Sequence, residues 1–182
     1  EATIPGSLVS PVEGGVTNAQ ESPDVVSLGT VSVAPLWFFL RAQSEGTVSQ
    51  RLQGKRLAVE PEGSATRLLA LRLLALNRVD ETNTELLALT PEESAGALAR
   101  GEIDGAILLT SWASPAIRDL LLADGIMLQS YPRADAYVAR FPYLSKVILP
   151  TGVADLARNI PAADLQLLAV ETGAALWNDR LE

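Results

Sequence analysis

Residues 54–72, GKRLAVEPEGSATRLLALR, hold the side chains best placed to do chemistry. A strand-like run, Leu57–Val59, meets a turn containing Pro61 and Gly63, and Ser64 and Thr66 stand where a helix begins. The first N–H groups of a helix have no intrahelical acceptor, and the helix dipole adds positive potential at the same point. A turn of this kind binds small anions, carboxylates included. The spacing matches neither the phosphate loop nor the dinucleotide fingerprint, so a nucleotide is not the expected ligand. The competing reading is plain N-capping by Ser64 or Thr66 of their own helix. Arg67 reads first as an exposed helical arginine near Glu60 or Glu62, and second as a fork that pairs bidentately with a carboxylate.

A second group of candidates lies elsewhere. Ser111 and Trp112 follow an apolar strand at its carboxyl end, where ligands collect in open α/β sheets. Ser111 is thus expected to face the same mouth as Ser64, unless the segment is a loop capped at Ser114. Trp37 sits in an apolar run and is either core or a flat platform for a ligand. Tyr131, Tyr137, Phe141 and Tyr143 gather near Pro132 and Pro142, as lobe packing first and as an aromatic wall second. Two acidic pairs, Glu102 with Asp104 and Asp80 with Glu81, fall in solvated turns. Catalysis by paired carboxylates needs one acid raised by burial, which these turns do not provide.

Absences narrow the chemistry further. The chain of 182 residues has no Cys and no His. That excludes Ser-His-Asp and Cys-His catalysis, disulfides and Cys/His zinc sites, and no metal or cofactor is expected. The formal charge is −8, and only Lys55 and Lys146 are lysines, so nucleic acid is not an expected partner. No uncharged apolar run approaches the ~18 residues of a membrane span. The first residues lack a signal-peptide pattern. At 48% hydrophobic residues, the composition supports a packed core.

These residues need elements to position them. VVSLGTVSVAPLWFFL (25–40) is β-branched and aromatic and predicts one or two buried strands, with Pro35 arguing against an uninterrupted one. Residues 1–24 read as loop with one strand, and 42–53 as a connection with a helical turn. The pattern then alternates: strand 56–60, helix 65–78, strand 85–89, helix 91–100, strand 103–110, helix 114–123, strand 126–130. Thr90, Pro91 and Glu93 mark one helix start, and Gly101 its end. A short helix is expected at 133–140, a strand at 145–149, a helical turn at 153–159 and a last strand at 165–170. The expected fold is α/β: a three-layer sandwich with a mixed, mainly parallel sheet.

In order and spacing, four segments resemble a known family. They are VVSLGTVSVAPLWFFLR, GKRLAVEPEGSATRLLALRLLALN, ALARGEIDGAILLTS and FPYLSKVILPTGVADLARNIPAADLQLLA. Together they resemble the TAXI group of solute-binding proteins of TRAP transporters, over roughly residues 12–172. Two departures stand out: Ala65 replaces the glycine expected between Ser64 and Thr66, and Ser32, Val33 and Ala34 replace an aromatic-aromatic-glutamate triplet.

The resemblance implies a type II periplasmic-binding-protein fold, with two lobes, a hinge and ligand between them. It implies a non-enzymatic role in the periplasm: capture of a small organic anion or amino acid and delivery to membrane permease subunits of an ion-coupled transporter. Gly63, Ser64, Thr66 and Arg67 would bind the ligand, with Ser111 as a second donor and Trp37 as an apolar platform. Residues 1–47 correspond to a remnant of the first lobe with a hinge strand, 48–132 to the second lobe, and 133–182 to the return segment with a first-lobe strand. Much of the first lobe is expected to be missing from the chain. The alternative is an effector-sensing domain of a regulatory protein with the same lobes. A thiamine-precursor-synthesis enzyme shares this fold, but its chemistry depends on histidine. In a chain this short, strands 25–40 and 165–170 are expected either to pair with each other or to be covered in a homodimer, with Trp37 and Phe39 at its interface.

Overall fold

The computed structural model describes residues 9–13, 25–41 and 46–177. In chain order the elements are β1 (Val9–Glu13), β2 (Val25–Arg41), α1 (Val48–Leu52), β3 (Arg56–Val59), α2 (Ala65–Leu76), β4 (Glu85–Ala88) and α3 (Pro91–Arg100). They continue with β5 (Gly105–Leu109), α4 (Pro115–Leu122), β6 (Ile126–Leu128), α5 (Ala134–Arg140), β7 (Leu144–Leu149) and β8 (Leu165–Trp177). The strands form one eight-stranded sheet in the order β1-β8-β2-β5-β3-β4, with β6 beside β2 and β7 beside β8.

The α/β character and the mixed sheet match expectation; the balance of directions does not. Only β3–β4 and β3–β5 run parallel. The pairings β1–β8, β2–β5, β2–β6, β2–β8 and β7–β8 are antiparallel. A parallel neighbour requires a crossover, and the helices α2 and α3 supply crossovers only within β3–β4–β5. The long strands β2 and β8 cross the sheet in opposite senses and bring β1, β6 and β7 in as antiparallel neighbours.

Strand β2 is one strand, continuous through Pro35, although Pro35 argued against an uninterrupted one. Pro35 stands opposite Ala169 of β8, and pairing to β5 begins one residue later at Leu36. At Pro35 the strand is therefore laddered on one side only, so the missing N–H disrupts no second ladder. Strands 25–40 and 165–170 pair with each other, the first of the two arrangements expected for them. Strand β8 runs on to Trp177 because its second half is held between β2 and β1.

Side chains alternate along β2, and the alternation builds two cores. Leu36, Phe38 and Leu40 join α2 residues Leu69, Ala70, Leu73 and Leu74 on one face. Trp37 and Phe39 join Ala97 and Leu98 of α3 and Ile117 and Leu120 of α4 on the other. Helices thus cover both faces, giving the three layers. Each large apolar side chain buried this way contributes ~1.5–3 kcal/mol relative to exposure. Trp37 and Phe39 are fully buried within their own chain, which leaves neither for the dimer interface proposed from sequence.

Element bounds otherwise follow the sequence pattern closely. Helix α3 has the expected bounds: Thr90 and Glu93 cap it reciprocally, Pro91 starts it and Gly101 ends it in the left-handed conformation at φ 74°. Residues 153–159 are not helical. They form a tight reversal in which Ala154 N donates to Ile160 O at 2.9 Å and Ile160 N donates to Asp155 O at 2.9 Å. Those cross-links engage backbone groups that a helix would need. The rest of the 1–24 loop reading, and residues 42–45 of the connection, lie outside the described residues.

Candidate functional site

Three parallel strands end at one edge of the sheet, and each runs into a helix start. Strand β3 leads to Ser64 and α2, β4 leads to Thr90 and α3, and β5 leads through Ser111 to Ser114 and α4. The antiparallel partner β2 crosses this edge near Leu36, which pairs with Leu109. Ser64 and Ser111 therefore both follow the carboxyl ends of neighbouring parallel strands.

The donors at this mouth are mostly backbone groups. Ser64 Oγ accepts from Arg67 N at 3.0 Å, so the capping reading holds for that hydroxyl. Gly63 supports the turn at φ 85°, a conformation that a side chain would strain. Thr66 is 4% exposed, so this residue is buried at the start of α2. As the first two helical residues, Ala65 and Thr66 have N–H groups without intrahelical acceptors. A groove of about 420 Å³ runs along the turn, lined by Glu62, Gly63, Ser64, Ala65, Arg67 and Leu68 among others.

The remaining predicted residues distribute differently. Arg67 donates to the Glu60 carbonyl at 3.4 Å and faces Glu81 at 3.8 Å, but its side chain is 13% exposed, so it is not the exposed helical arginine weighed for it. Ser111 Oγ accepts from Ala113 N at 3.2 Å and is exposed. Ser114 makes no side-chain cap bond, so α4 is the one helix of these three without a hydroxyl on its first turn. Trp37 is fully buried, on the face of the sheet opposite α2. Its indole Nε1 donates to Thr110 O at 2.9 Å, and its ring lies 5.8 Å from that of Trp112. It supports the Ser111 loop from beneath rather than presenting a face to the Ser64 turn.

The acidic pairs are held by local donors. Asp80 lies below its ordinary value because the Thr82 hydroxyl and then its N–H bond to it. Glu102 is lowered by the two-pronged contact with Arg100, with both bonds at 2.8 Å. Asp104 accepts from Arg56 N at 2.9 Å. Asp80 and Glu102 are thus held in the direction opposite to the raised acid that general acid catalysis requires. Among the described residues no cluster of three or more His, Cys, Asp or Glu could hold a metal. No described helix is long and apolar enough to cross a membrane.

Against known proteins, the NMT1-like family matches residues 11–175. The chain belongs to that family. Similar solved structures include the periplasmic aliphatic sulphonate binding protein SsuA of Escherichia coli, at 23% identity and TM-score 0.46 over 60% of this chain and 35% of that one. The alkanesulfonate-binding protein SsuA of Xanthomonas axonopodis pv. citri, bound to MOPS, is 26% identical over 58% of this chain and 35% of that one, at TM-score 0.42. A Xanthomonas citri protein bound to ATP is 11% identical over 87% of this chain and 52% of that one, at TM-score 0.51. The last shows a shared fold. The chain spans about a third to a half of the length of these proteins.

In this NMT1-like chain, sequence reasoning missed the Trp37–Trp112 contact, which joins residues far apart in sequence. It also left the tyrosines divided between core and wall. Tyr131 and Tyr137 pack edge to face at 6.4 Å and line a partly open cavity, while Phe141 and Tyr143 pack against the core beside α2.

Proposed function

We propose that this chain is the gripping lobe, with hinge strands, of a periplasmic solute-binding protein that serves a membrane transporter. The carrying observation is the convergence of β3, β4 and β5 on three helix starts at one sheet edge, beside the paired long strands β2 and β8. Membership of the NMT1-like family supports the reading.

At finer grain, the motif resemblance favours a TAXI-type protein that hands a small organic anion or amino acid to ion-coupled permease subunits. The ligand carboxylate would meet the N–H groups of Ala65 and Thr66, with Gly63 and Ser64 shaping the turn. Arg67 would stand at the rim, and Ser111 would donate from the neighbouring loop. Residues 48–132 would form the lobe itself. Trp37 would act through the Ser111 loop it supports.

Calorimetry with short carboxylates, amino acids and alkanesulfonates tests this. Carboxylate or amino-acid binding that Ala65→Phe abolishes and Ala65→Gly preserves is the expected result, since only the phenyl ring would block the backbone donors. Sulfonate binding without carboxylate binding would instead favour the ligand class of the SsuA neighbours. Indifference of a bound carboxylate to Ala65→Phe removes the turn from the site.

A further inference from the structure

At the far end of α2 lies a cavity unrelated to the mouth. Helix α2 has twelve residues from Ala65 to Leu76, so at ~1.5 Å per residue its two ends stand about 18 Å apart. The cavity measures about 80 Å³ and lies between α1, the end of α2 and the start of α5. Its apolar lining comes from Phe38 and Ile107 of the sheet and Leu73 and Leu74 of α2. Its polar lining comes from Arg51, Asn77, Tyr131, Arg133 and Tyr137, with Ser130 beside them.

Two features of that lining call for a ligand. Arg51 and Arg133 both contribute to it, no carboxylate does, and the whole chain carries a formal charge of −8. Among the described ion pairs, neither arginine has a carboxylate partner. Arg51 donates from one terminal nitrogen to Gln129 Oε1, while its Nε is buried with no hydrogen-bond partner among the described residues. A buried charged donor left unsatisfied is costly, and an acceptor in the cavity would relieve it. The other polar groups are already organised: Asn77 Nδ2 donates to Tyr137 OH at 2.8 Å, and Arg133 donates to Asn77 Oδ1 at 3.1 Å. Cations and phenols on one side and hydrocarbon on the other suit a ligand with one anionic and one apolar end.

We infer that this cavity is a second ligand site, for a short-chain monocarboxylate whose carboxylate meets Arg51 and Arg133 and whose hydrocarbon end rests on Phe38 and Ile107. Its size exceeds the ~10–15 Å³ that one water needs and falls short of the ~150 Å³ cavity that takes benzene, which holds the ligand to a few carbons. The site lies at the opposite end of α2 from the mouth, so it is independent of the mouth and of the transport reading.

Nuclear magnetic resonance of the labelled chain, titrated with butyrate and with butyramide, tests it. Butyrate is expected to give saturable shifts at the amides of Asn77, Ser130 and Tyr137, with butyramide weaker by about tenfold or more. Arg51→Gln should weaken butyrate by a similar factor in a protein that keeps its spectral dispersion, and Arg133→Gln provides the same reading if Arg51→Gln does not fold. Equal binding of butyramide, unchanged affinity in both variants, or no saturable shift at millimolar butyrate would overturn the inference. Shifts confined to residues 63–67 would overturn it too, while leaving the mouth intact as a site.

Discussion

The two ends of α2 solve opposite problems. At the Ser64 end the groove is open, the serine already caps its own helix, and the groups left to offer are backbone N–H groups. At the Asn77 end the pocket is partly open, the available groups are side chains, and one buried guanidinium nitrogen has no partner among the described residues. An open turn with self-satisfied side chains tolerates substitution and can release what it holds. A pocket with an unsatisfied buried donor is sensitive to changes in its walls. A ligand site is therefore not identified by exposure alone, because leftover hydrogen-bonding capacity separates these two regions more sharply.

Substitutions should expose that contrast in order of size. Phe38→Ala, in the cavity wall, should lower stability by ~3–5 kcal/mol in chemical denaturation, while Leu68→Ala at the groove, where Leu68 is 46% exposed, should stay within about 0.5 kcal/mol. Equal costs would erase the distinction between the ends. Asn77→Leu should cost ~1–3 kcal/mol, because it strands the Tyr137 hydroxyl and frees Arg133. At the mouth, Ser64→Ala should cost about 1 kcal/mol through its lost cap, whereas Ser114→Ala should be within about 0.5 kcal/mol, having no cap bond to lose. Melting temperatures of the two serine variants decide this, and a larger loss at Ser114 would show a bond formed in solution that the structure lacks.

Proton linkage gives the smallest effects and the cleanest sign. Glu93, at the mouth edge, is held below its ordinary 4.5 by the Thr90 N–H and then its hydroxyl. A lowered acid contributes stability above its unfolded value and loses it as pH falls, so the Glu93→Gln variant should show a shallower decline in melting temperature below about pH 4.5. Tyr131, at the cavity, is raised above its ordinary 10.0 by burial and then by Tyr137. A raised phenol contributes below its unfolded value and loses that contribution as pH rises, so Tyr131→Phe should flatten the decline above about pH 10. The mouth is thus expected to weaken in acid and the cavity in alkali.

Legibility in the sequence followed the range of the signals. Helix α3 could be read to the residue because Thr90, Pro91, Glu93 and Gly101 act on their immediate neighbours. Capping by Ser64 was legible for the same reason. Pro35 misled because its effect depends on which side of β2 is paired at that residue, and that is set by β5 and β8. The reversal at 153–159 was missed because its backbone partners include Pro150 and Ile160 rather than the next helical turn. The burial of Trp37 needs α3 and α4 in place. The cavity was illegible, since its lining is drawn from residues 38, 48–51, 73–77, 107 and 130–137, and no local pattern unites them.

The alternation of Leu36 to Leu40 makes β2 the common wall of both cores. Its ladder position is consequently an all-or-nothing setting. Sliding this strand by one residue against β5 would turn Trp37 and Phe39 toward α2 and Leu36, Phe38 and Leu40 toward α3 and α4, misfitting both layers in a single step. Two cores that share one wall check each other's alignment, and a chain assembled with that strand out of step has no half-correct state in which to rest.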